Sequence, residues 1–553
     1  MYVRVKTTEG REYLQIVESQ REGKRIKQKL VASLGRLDKL RENGNIDRIL
    51  ISLQKFSENL SVLGEHKKGN LPPVSTRKIG PPLLFGKIWK KIGLPEIMKF
   101  ILDGRKFEFP LEKAVFLTVV HRLMVSGSDR AADRWKEEYA FDEDVQDLQL
   151  HHLYWAMAWL GEPLPVGEQT GATPFSPRCT KDRIEELLFK RTRDLFSEFD
   201  LVFFDTTSIY FEGNGGDTLG ENGHSKDHRP DLKQMVVGVV LDSDGRPVCS
   251  EMWPGNTTDV TTLIPVVDRL SRRFGIRRIC IVADRGMISV KTLDELEKPE
   301  RHMDYILGAR MRISNEVREE VLGRPGRFKE VQPERRKAKD PSPLKVKEVW
   351  VEDRRYIVCH NEEQARKDRG DREAILSSLR EALKRGDKSL VGNKGYRRFL
   401  KTSKNRESFA IDEKKIESEA RFDGKWVLRT NTDLPAEEVA LKYKQLWMVE
   451  NVFRSMKSVL DTRPIWHKCD ETIRGHVFCS FLAMVLIKTI QDSLDDRGYN
   501  EEWAHVIRDL DRLEEVEVEA SGKKFALRSE TRGAVGKLFQ AAGVSLPPTV
   551  RQR

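Results

Sequence analysis

Leu201-Val202-Phe203-Phe204-Asp205-Thr206-Thr207 and Arg278-Ile279-Cys280-Ile281-Val282-Ala283-Asp284-Arg285-Gly286 decide the fold. Each is an apolar run of strand length that ends on an aspartate. Between them, Met235 to Leu241 is a second apolar run, and Asp242-Ser243-Asp244-Gly245 is a hairpin turn into Val248 to Trp253. Residues from Thr261 to Phe274 have helical spacing, as do 289–297, and Tyr305-Ile306-Leu307-Gly308-Ala309 makes a fifth strand. A carboxylate just beyond a buried parallel strand is where open α/β sheets place their sites. Taken singly, however, each Asp reads first as a turn or helix-capping residue.

Three strands in hairpin order, a crossover helix and two more strands is the order of an RNase H-like α/β sheet. Residues 312–425 interrupt that plan: they are charged, with strands expected at 345–351, 355–359 and 425–430 and a helix at 371–384. Helical periodicity returns from Ala436 to Leu460 and from Thr472 to Leu494. Upstream, three strand-like segments within 2–35 surround a basic hairpin at Glu22-Gly23, where Arg21, Lys24, Arg25, Lys27 and Lys29 crowd together. A helix over 46–63, a Gly/Pro-rich linker over 69–82, helical segments over 83–160 and a helix over 181–199 complete the N-terminal half. The last 50 residues are polar and partly helical, and no chemistry is visible in them.

At 553 residues the chain is too long for one compact core. Its net charge of +11 favours an anionic partner, and residues 1–80 carry 17 Lys+Arg against 9 Asp+Glu, so most of the excess is N-terminal. The bland alternative for that stretch is a solvated basic face. Met1-Tyr2-Val3-Arg4-Val5-Lys6 is charged and lacks the apolar core of a signal peptide, and the run Val477 to Ile487 is about half of what spans a bilayer. No membrane association is expected; the expected location is the cytoplasm, on the nucleoid. Six scattered cysteines suit a reducing compartment. His467, Cys469, His476 and Cys479 are zinc-type ligands, but Cys479 falls in an apolar helix and reads as a small hydrophobe.

The segment Tyr443-Lys444-Gln445-Leu446-Trp447-Met448-Val449-Glu450-Asn451-Val452-Phe453-Arg454-Ser455-Met456-Lys457 changes the weight of the two aspartates. Tyr443, Glu450, Arg454 and Lys457 fall at helical offsets of seven, four and three, which stack them on one face. Leu441, Met448, Val452 and Val459 are expected to pack on the other side, with Trp447 read as core ahead of a base-stacking role. Ordinary salt bridging on a solvated helix is the competing reading of that polar face.

With these residues in view, the chain resembles bacterial insertion-sequence transposases of the DDE type, in the group marked by a Y-x2-R-x3-E-x6-K signature. Asp205-Thr206-Thr207 is similar to their first-Asp strand, Gly255-Asn256-Thr257-Thr258-Asp259 to their P-G-N-x-x-D stretch, and Val282-Ala283-Asp284-Arg285-Gly286 to their second-Asp motif. Tyr443, Glu450 and Lys457 match three signature positions, whereas Leu446 stands where the signature has Arg; Arg454, one turn on, is the cation offered in its place. The resemblance implies a multidomain α+β protein. It has an RNase H-like catalytic core (181–311 and 426–495) with a β-rich insertion (312–425). A basic β/α module (1–70) and a helical module for DNA binding or dimerisation (83–165) precede it, and a helical tail (496–553) follows.

It further implies cleavage of insertion-sequence DNA ends and transfer of their 3′-OH ends to target DNA. Two Mg²⁺ ions, replaceable by Mn²⁺, would be held by Asp205, Asp284 and Glu450, with Asp205 bridging both. Tyr443, Arg454 and Lys457 would hold phosphates near the cut, and Arg25, Lys27, Lys29, Lys226 and Lys233 would contact the duplex. A homodimer or larger assembly would bring two ends together, and a DNA-hairpin intermediate is implied with Leu446 as the departure. Trp350 is a further candidate for stacking on an unpaired base. The rival readings are an RNase H-like nuclease that never joins DNA and a catalytically decayed DNA-binding repressor.

Overall fold

The computed structural model describes residues 1–22, 25–42, 44–54, 56–170, 172–173, 176–192, 199–275, 278–301, 303–332, 343–385, 396, 398–402, 409–520 and 522–553. They form two compact units: residues 1–83, 138–140 and 501–553, and residues 84–137 and 141–500.

The first unit opens with an antiparallel sheet of Tyr2–Thr8, Arg11–Glu22 and Arg25–Arg36, followed by helices Leu37–Glu42, Asn45–Gln54 and Glu58–Lys67. A second sheet runs in the order Val550–Gln552, Lys523–Arg528, Glu514–Ala520, Ser75–Lys78. Two expectations are corrected here. The stretch read as a linker contains an edge strand, and the tail read as helical contributes three strands beside helices Trp503–Asp511 and Val535–Ala542. The signal was present in Glu515-Val516-Glu517-Val518-Glu519, a period of two whose acidic residues disguised it. Val518, Phe525 and Leu527 are buried with Val62, while Glu515 accepts from Arg551 Nε (2.7 Å) and from Arg553 Nη2 (3.0 Å).

In the second unit, α1 (Leu94–Ile101), α2 (Leu111–Met124), α3 (Asp129–Trp135), α4 (Leu150–Gly161) and α5 (Thr180–Thr192) precede the large sheet. Then come β1 (Phe199–Tyr210), β2 (Gln234–Leu241), β3 (Pro247–Pro254), α6 (Asp259–Phe274), β4 (Arg278–Ala283), α7 (Val290–Leu296) and β5 (Asp304–Gly308). They are followed by β6 (Lys329–Val331), β7 (Leu344–Val351), β8 (Arg354–His360), α8 (Glu362–Arg385), α9 (Glu413–Ala420) and β9 (Lys425–Thr430). The last are α10 (Ala436–Lys444), α11 (Trp447–Ser458) and α12 (Asp470–Asp495).

The sheet order is β6-β7-β8-β9-β5-β4-β1-β2-β3, with β1, β4 and β5 parallel and the other neighbours antiparallel. This is the expected RNase H-like core, β3-β2-β1-β4-β5. The insertion does not stand apart from it: three of its strands and β9 continue the same hydrogen-bonded sheet beyond β5.

Alternation along the strands decides where the carboxylates point. Val202 and Phe204 of β1, and Ile279, Ile281 and Ala283 of β4, pack on Leu263, Val266, Val267 and Leu270 of α6. With a period of two, Phe203 and Asp205 of β1 therefore face the other way, towards the side on which α10 and α11 lie. Helix α12 is long and apolar enough to cross a membrane, yet 83% of its apolar stretch is buried inside the protein, as in a core helix. It meets α4 backbone to backbone: a Cβ on Gly475 would lie 1.9 Å from Met157 O, and one on Gly161 would lie 2.0 Å from Glu471 O.

Candidate active site

Strand β1 does not end on Asp205, as its apolar run suggested, but continues to Tyr210 because β2 pairs with it from Phe203↔Leu241 to Tyr210↔Gln234. The parallel pairing with β4 stops at Phe204↔Ala283, so Asp205 and Asp284 emerge side by side at the carboxyl ends of adjacent parallel strands. Asp284 begins a tight turn, with Met287 N donating to its carbonyl (3.0 Å). Arg310, just beyond β5, pins that turn through Nε to Arg285 O and Nη2 to Gly286 O, both 3.0 Å. Glu450 lies in the first turn of α11. All three carboxylates line one cavity of about 790 Å³, together with Tyr443, Leu446 and Trp447 and residues of α8 and α9.

The helix carrying Glu450 is not continuous. Between α10 and α11 the chain tightens, with Leu446 N donating to Tyr443 O (3.1 Å), Met448 N to Gln445 O (2.9 Å) and Val449 N to Leu446 O (3.0 Å). These i to i−3 bonds wind the turn more than an α-helix does. The faces expected from 3.6 residues per turn are displaced accordingly. Leu446, Val449, Val452, Phe453 and Met456 are buried, whereas Val459 is exposed. Trp447, expected in the core, is 49% exposed and forms part of the cavity wall. Tyr443 and Glu450 share the cavity; Arg454 and Lys457 are not among its lining residues. Arg454 is exposed and donates to Asn451 Oδ1 (3.0 Å). Lys457 is mostly buried, with Nζ 2.8 Å from Asp227 Oδ1, where Arg463 also pairs.

The Tyr443 hydroxyl donates to Asp284 Oδ1 (2.9 Å), and burial together with that carboxylate pushes its own pKa well up. The fit depends on Gly308, where a Cβ would lie 2.4 Å from Tyr443 Oη and 2.9 Å from Arg285 N. Burial raises the Asp205 carboxyl to about 6; the charges of Asp284 and Asp259 push the same way, opposed by Lys226 and the Thr206 amide. Folded Asp205 thus holds its proton more tightly than the unfolded chain does. Its ionisation costs nothing well below pH 4 and progressively more as pH rises through about 6, reaching about 3 kcal/mol at pH 8 in metal-free protein. Asp205→Asn, neutral at every pH, is expected to raise metal-free stability by about that amount at pH 8 and hardly at all at pH 4, read by urea unfolding. A destabilised variant at pH 8 would show that the carboxylate is not strained.

Sequence reasoning missed several groups at this site. Asp259, noted only within a motif, accepts from Thr206 Oγ1 (2.6 Å) and pairs with Lys226 (3.2 Å). Arg285, Arg310, Arg312 and Arg398 surround a second cleft of about 390 Å³ beside Asp284. Arg312 Nε donates to Glu419 Oε2 (2.9 Å) over the Phe422 ring. The only signal was the arginine density of 310–312, which reads as surface charge when β5 is not yet placed. Of the other DNA candidates, Lys27 and Lys29 are exposed on the strand Arg25–Arg36, and the Arg25 side chain lies outside the described residues. Lys233 is half-buried at the edge of β2, and Trp350 is 49% exposed, its indole N–H on Glu348 Oε1 (2.9 Å).

The donor set suits hard divalent cations: carboxylate oxygens only, the ionised form of one of them destabilised by burial. The zinc-type grouping does not form. Among the described residues, His467 and His476 come together with Asp129 and without cysteine, their ligand atoms within 4.8 Å. Arg122 already fills the cationic role there, 2.8 Å from His476 Nδ1 and 3.5 Å from Asp129.

The family described as transposase DDE domain matches residues 197–486, and that described as the N-terminal domain of IS1634 family transposases matches residues 3–65. No curated protein matches. Among solved structures, a cryo-EM structure of piggyBac transposase synaptic complex with hairpin DNA aligns over 78% of this chain and 78% of that one, at 11% identity and a TM-score of 0.36. The DDE match alone spans more than half of the 553 residues and contains both aspartate-bearing strands and the helix of Glu450; the chain belongs to the DDE-domain transposases.

Proposed function

We propose that this transposase cleaves the DNA ends of an insertion sequence and transfers the resulting 3′-OH ends to target DNA, using Asp205, Asp284 and Glu450 to hold two divalent cations, Mg²⁺ or Mn²⁺. The observation that carries this reading is the meeting of the three carboxylates in one cavity, from a strand, a turn and a helix far apart in sequence. Such a cation pair supplies the positive charge that stabilises the attacking and departing oxygens of an in-line phosphoryl displacement.

The chain's own residues do the rest. Tyr443 holds Asp284 through its hydroxyl, and Arg310 fixes the turn that presents it. Arg285 and Arg312, both lining the cavity as well as the adjoining cleft, attract phosphates of the strand being cut. Trp447 offers an exposed ring on which a base can stack. Lys27 and Lys29 on the basic hairpin serve as sequence-independent phosphate contacts. Two DNA ends require two such sites, so the working form is a dimer or larger assembly on the DNA.

The test is a fluorescent duplex carrying the element's own end, incubated with the full-length protein, Mg²⁺ and a supercoiled target plasmid. Cleavage followed by label appearing covalently in the plasmid is the expected result. Cleavage with no joined product under any target condition would leave a nuclease, and tight binding without cleavage would leave a repressor.

A further inference from the structure

Lys226, a DNA-contact candidate on sequence, is fastened to the strand that carries Asp205. Its Nζ donates to the Thr206 carbonyl (2.7 Å), lies 3.1 Å from Thr206 Oγ1 and pairs with Asp259 Oδ2 at 3.2 Å. Asp259, first residue of α6, also accepts from Thr206 Oγ1 at 2.6 Å, so one carboxylate holds both the lysine and the residue next to Asp205. The lysine's own backbone is fastened too, its N–H donating to Ser208 Oγ (2.7 Å) two residues further along β1. Asp227, the next residue, anchors the loop through Lys457 and Arg463. The ammonium thus has Asp259 as its ion-pair partner and lies within electrostatic reach of Asp205, one residue from the Thr206 carbonyl it binds, and of Lys457.

We propose that Lys226 is a built-in cation beside the metal site, fixed by Asp259 and by the Thr206 carbonyl next to Asp205, and that it holds down the metal-free protein's affinity for divalent cations. This rests on the reading of Asp205 as a metal ligand. An ammonium fixed beside Asp205 and a divalent cation held by that carboxylate repel each other, and inside a protein that repulsion is poorly screened. DNA reverses the balance, because a phosphate entering the site adds negative charge that both cations can share. Metal loading is then coupled to DNA binding, and by reciprocity metal tightens the hold on DNA. Asp259 acts as a positioning residue, since it touches Lys226 and Thr206.

The experiment is a Mn²⁺ titration of the full-length protein without DNA, in which free Mn²⁺ is counted by EPR. Wild type, Lys226→Met, Lys226→Arg and Asp205→Asn are compared. Lys226→Met is expected to bind at a Mn²⁺ concentration lower by on the order of tenfold, while its metal-free melting temperature falls. Lys226→Arg, which keeps the charge, should stay near wild type. Unchanged or weaker Mn²⁺ binding by Lys226→Met, with binding still lost in Asp205→Asn, would overturn the role of Lys226 alone. Equal binding by Asp205→Asn and wild type would overturn the metal-ligand reading and this proposal with it. Should Lys226→Met not fold, Lys226→Gln carries the same measurement.

Discussion

Asp284→Asn is expected to abolish DNA cleavage while leaving the fold and DNA binding in place. The amide has the shape of the carboxylate and can still accept the Tyr443 hydroxyl at Oδ1, so the turn after β4 and the cavity wall are preserved. What it lacks is the negative oxygen that a hard divalent cation requires. Losing one charged ligand weakens transition-state stabilisation by several kcal/mol, and about 4 kcal/mol corresponds to a factor on the order of 10³ in rate. Single-turnover cleavage of the end duplex in Mg²⁺ measures the loss; fluorescence anisotropy in metal-free buffer and a melting curve serve as controls. Binding within a few-fold of wild type, with cleavage down by that factor, is the expected pattern. Cleavage at the wild-type rate would sink the assigned triad, and a variant that neither binds nor melts cooperatively would place Asp284 in the scaffold instead.

Arg273→Met should be the most damaging single change to stability. On the side of the sheet away from the three carboxylates, α5, α6 and β3 enclose a buried set of four cations and four carboxylates: Arg178, Lys181, Arg269 and Arg273 with Asp182, Glu185, Glu186 and Glu251. Arg273 touches all four acids, with Glu185 at 2.7 Å, Glu186 at 3.0 Å and both Asp182 and Glu251 at 3.2 Å. Methionine matches the stem but leaves those carboxylates short of one positive charge in a place water does not reach. Breaking a buried ion pair from one side costs roughly 3–5 kcal/mol, because the abandoned partner stays desolvated. Urea unfolding at pH 7 should show that loss, and adding Glu251→Gln should recover part of it, since one stranded charge is then removed. A loss under about 1 kcal/mol would mean that water enters the cluster and hydrates the acids.

The core was legible because its signals are local. Val202 to Phe204 and Ile279 to Ala283 are apolar strands followed by aspartates, and the hairpin at Asp242 to Gly245 is written in turn chemistry: Asp242 Oδ1 accepts from the amides of Asp244 (2.9 Å) and Arg246 (2.8 Å). Glu450 is singled out by the resemblance of its spacing from Tyr443 and Lys457 to the family signature, and the cavity contains Glu450 and Tyr443. Spacing misled where the helix tightens between Gln445 and Val449, since a periodicity argument assumes one constant turn angle. Trp447, at the start of the helix beyond that turn, is exposed rather than in the core.

Sequence by itself determined which strands exist, which aspartates end them, that a helix after the insertion carries a glutamate, and that the charge excess is N-terminal. These follow from residue order within a dozen positions, where backbone propensity and side-chain period act directly. Only the tertiary structure decided that the insertion's strands extend the core sheet beyond β5, that Asp259 and Lys226 close around Thr206 beside Asp205, and that Arg122 occupies the histidine pair where zinc ligands had been suspected. The physical reason is the same in each case. Sheet edges, charge partners and desolvation are fixed by residues tens to hundreds of positions apart, and no local pattern states which cation an isolated carboxylate will meet.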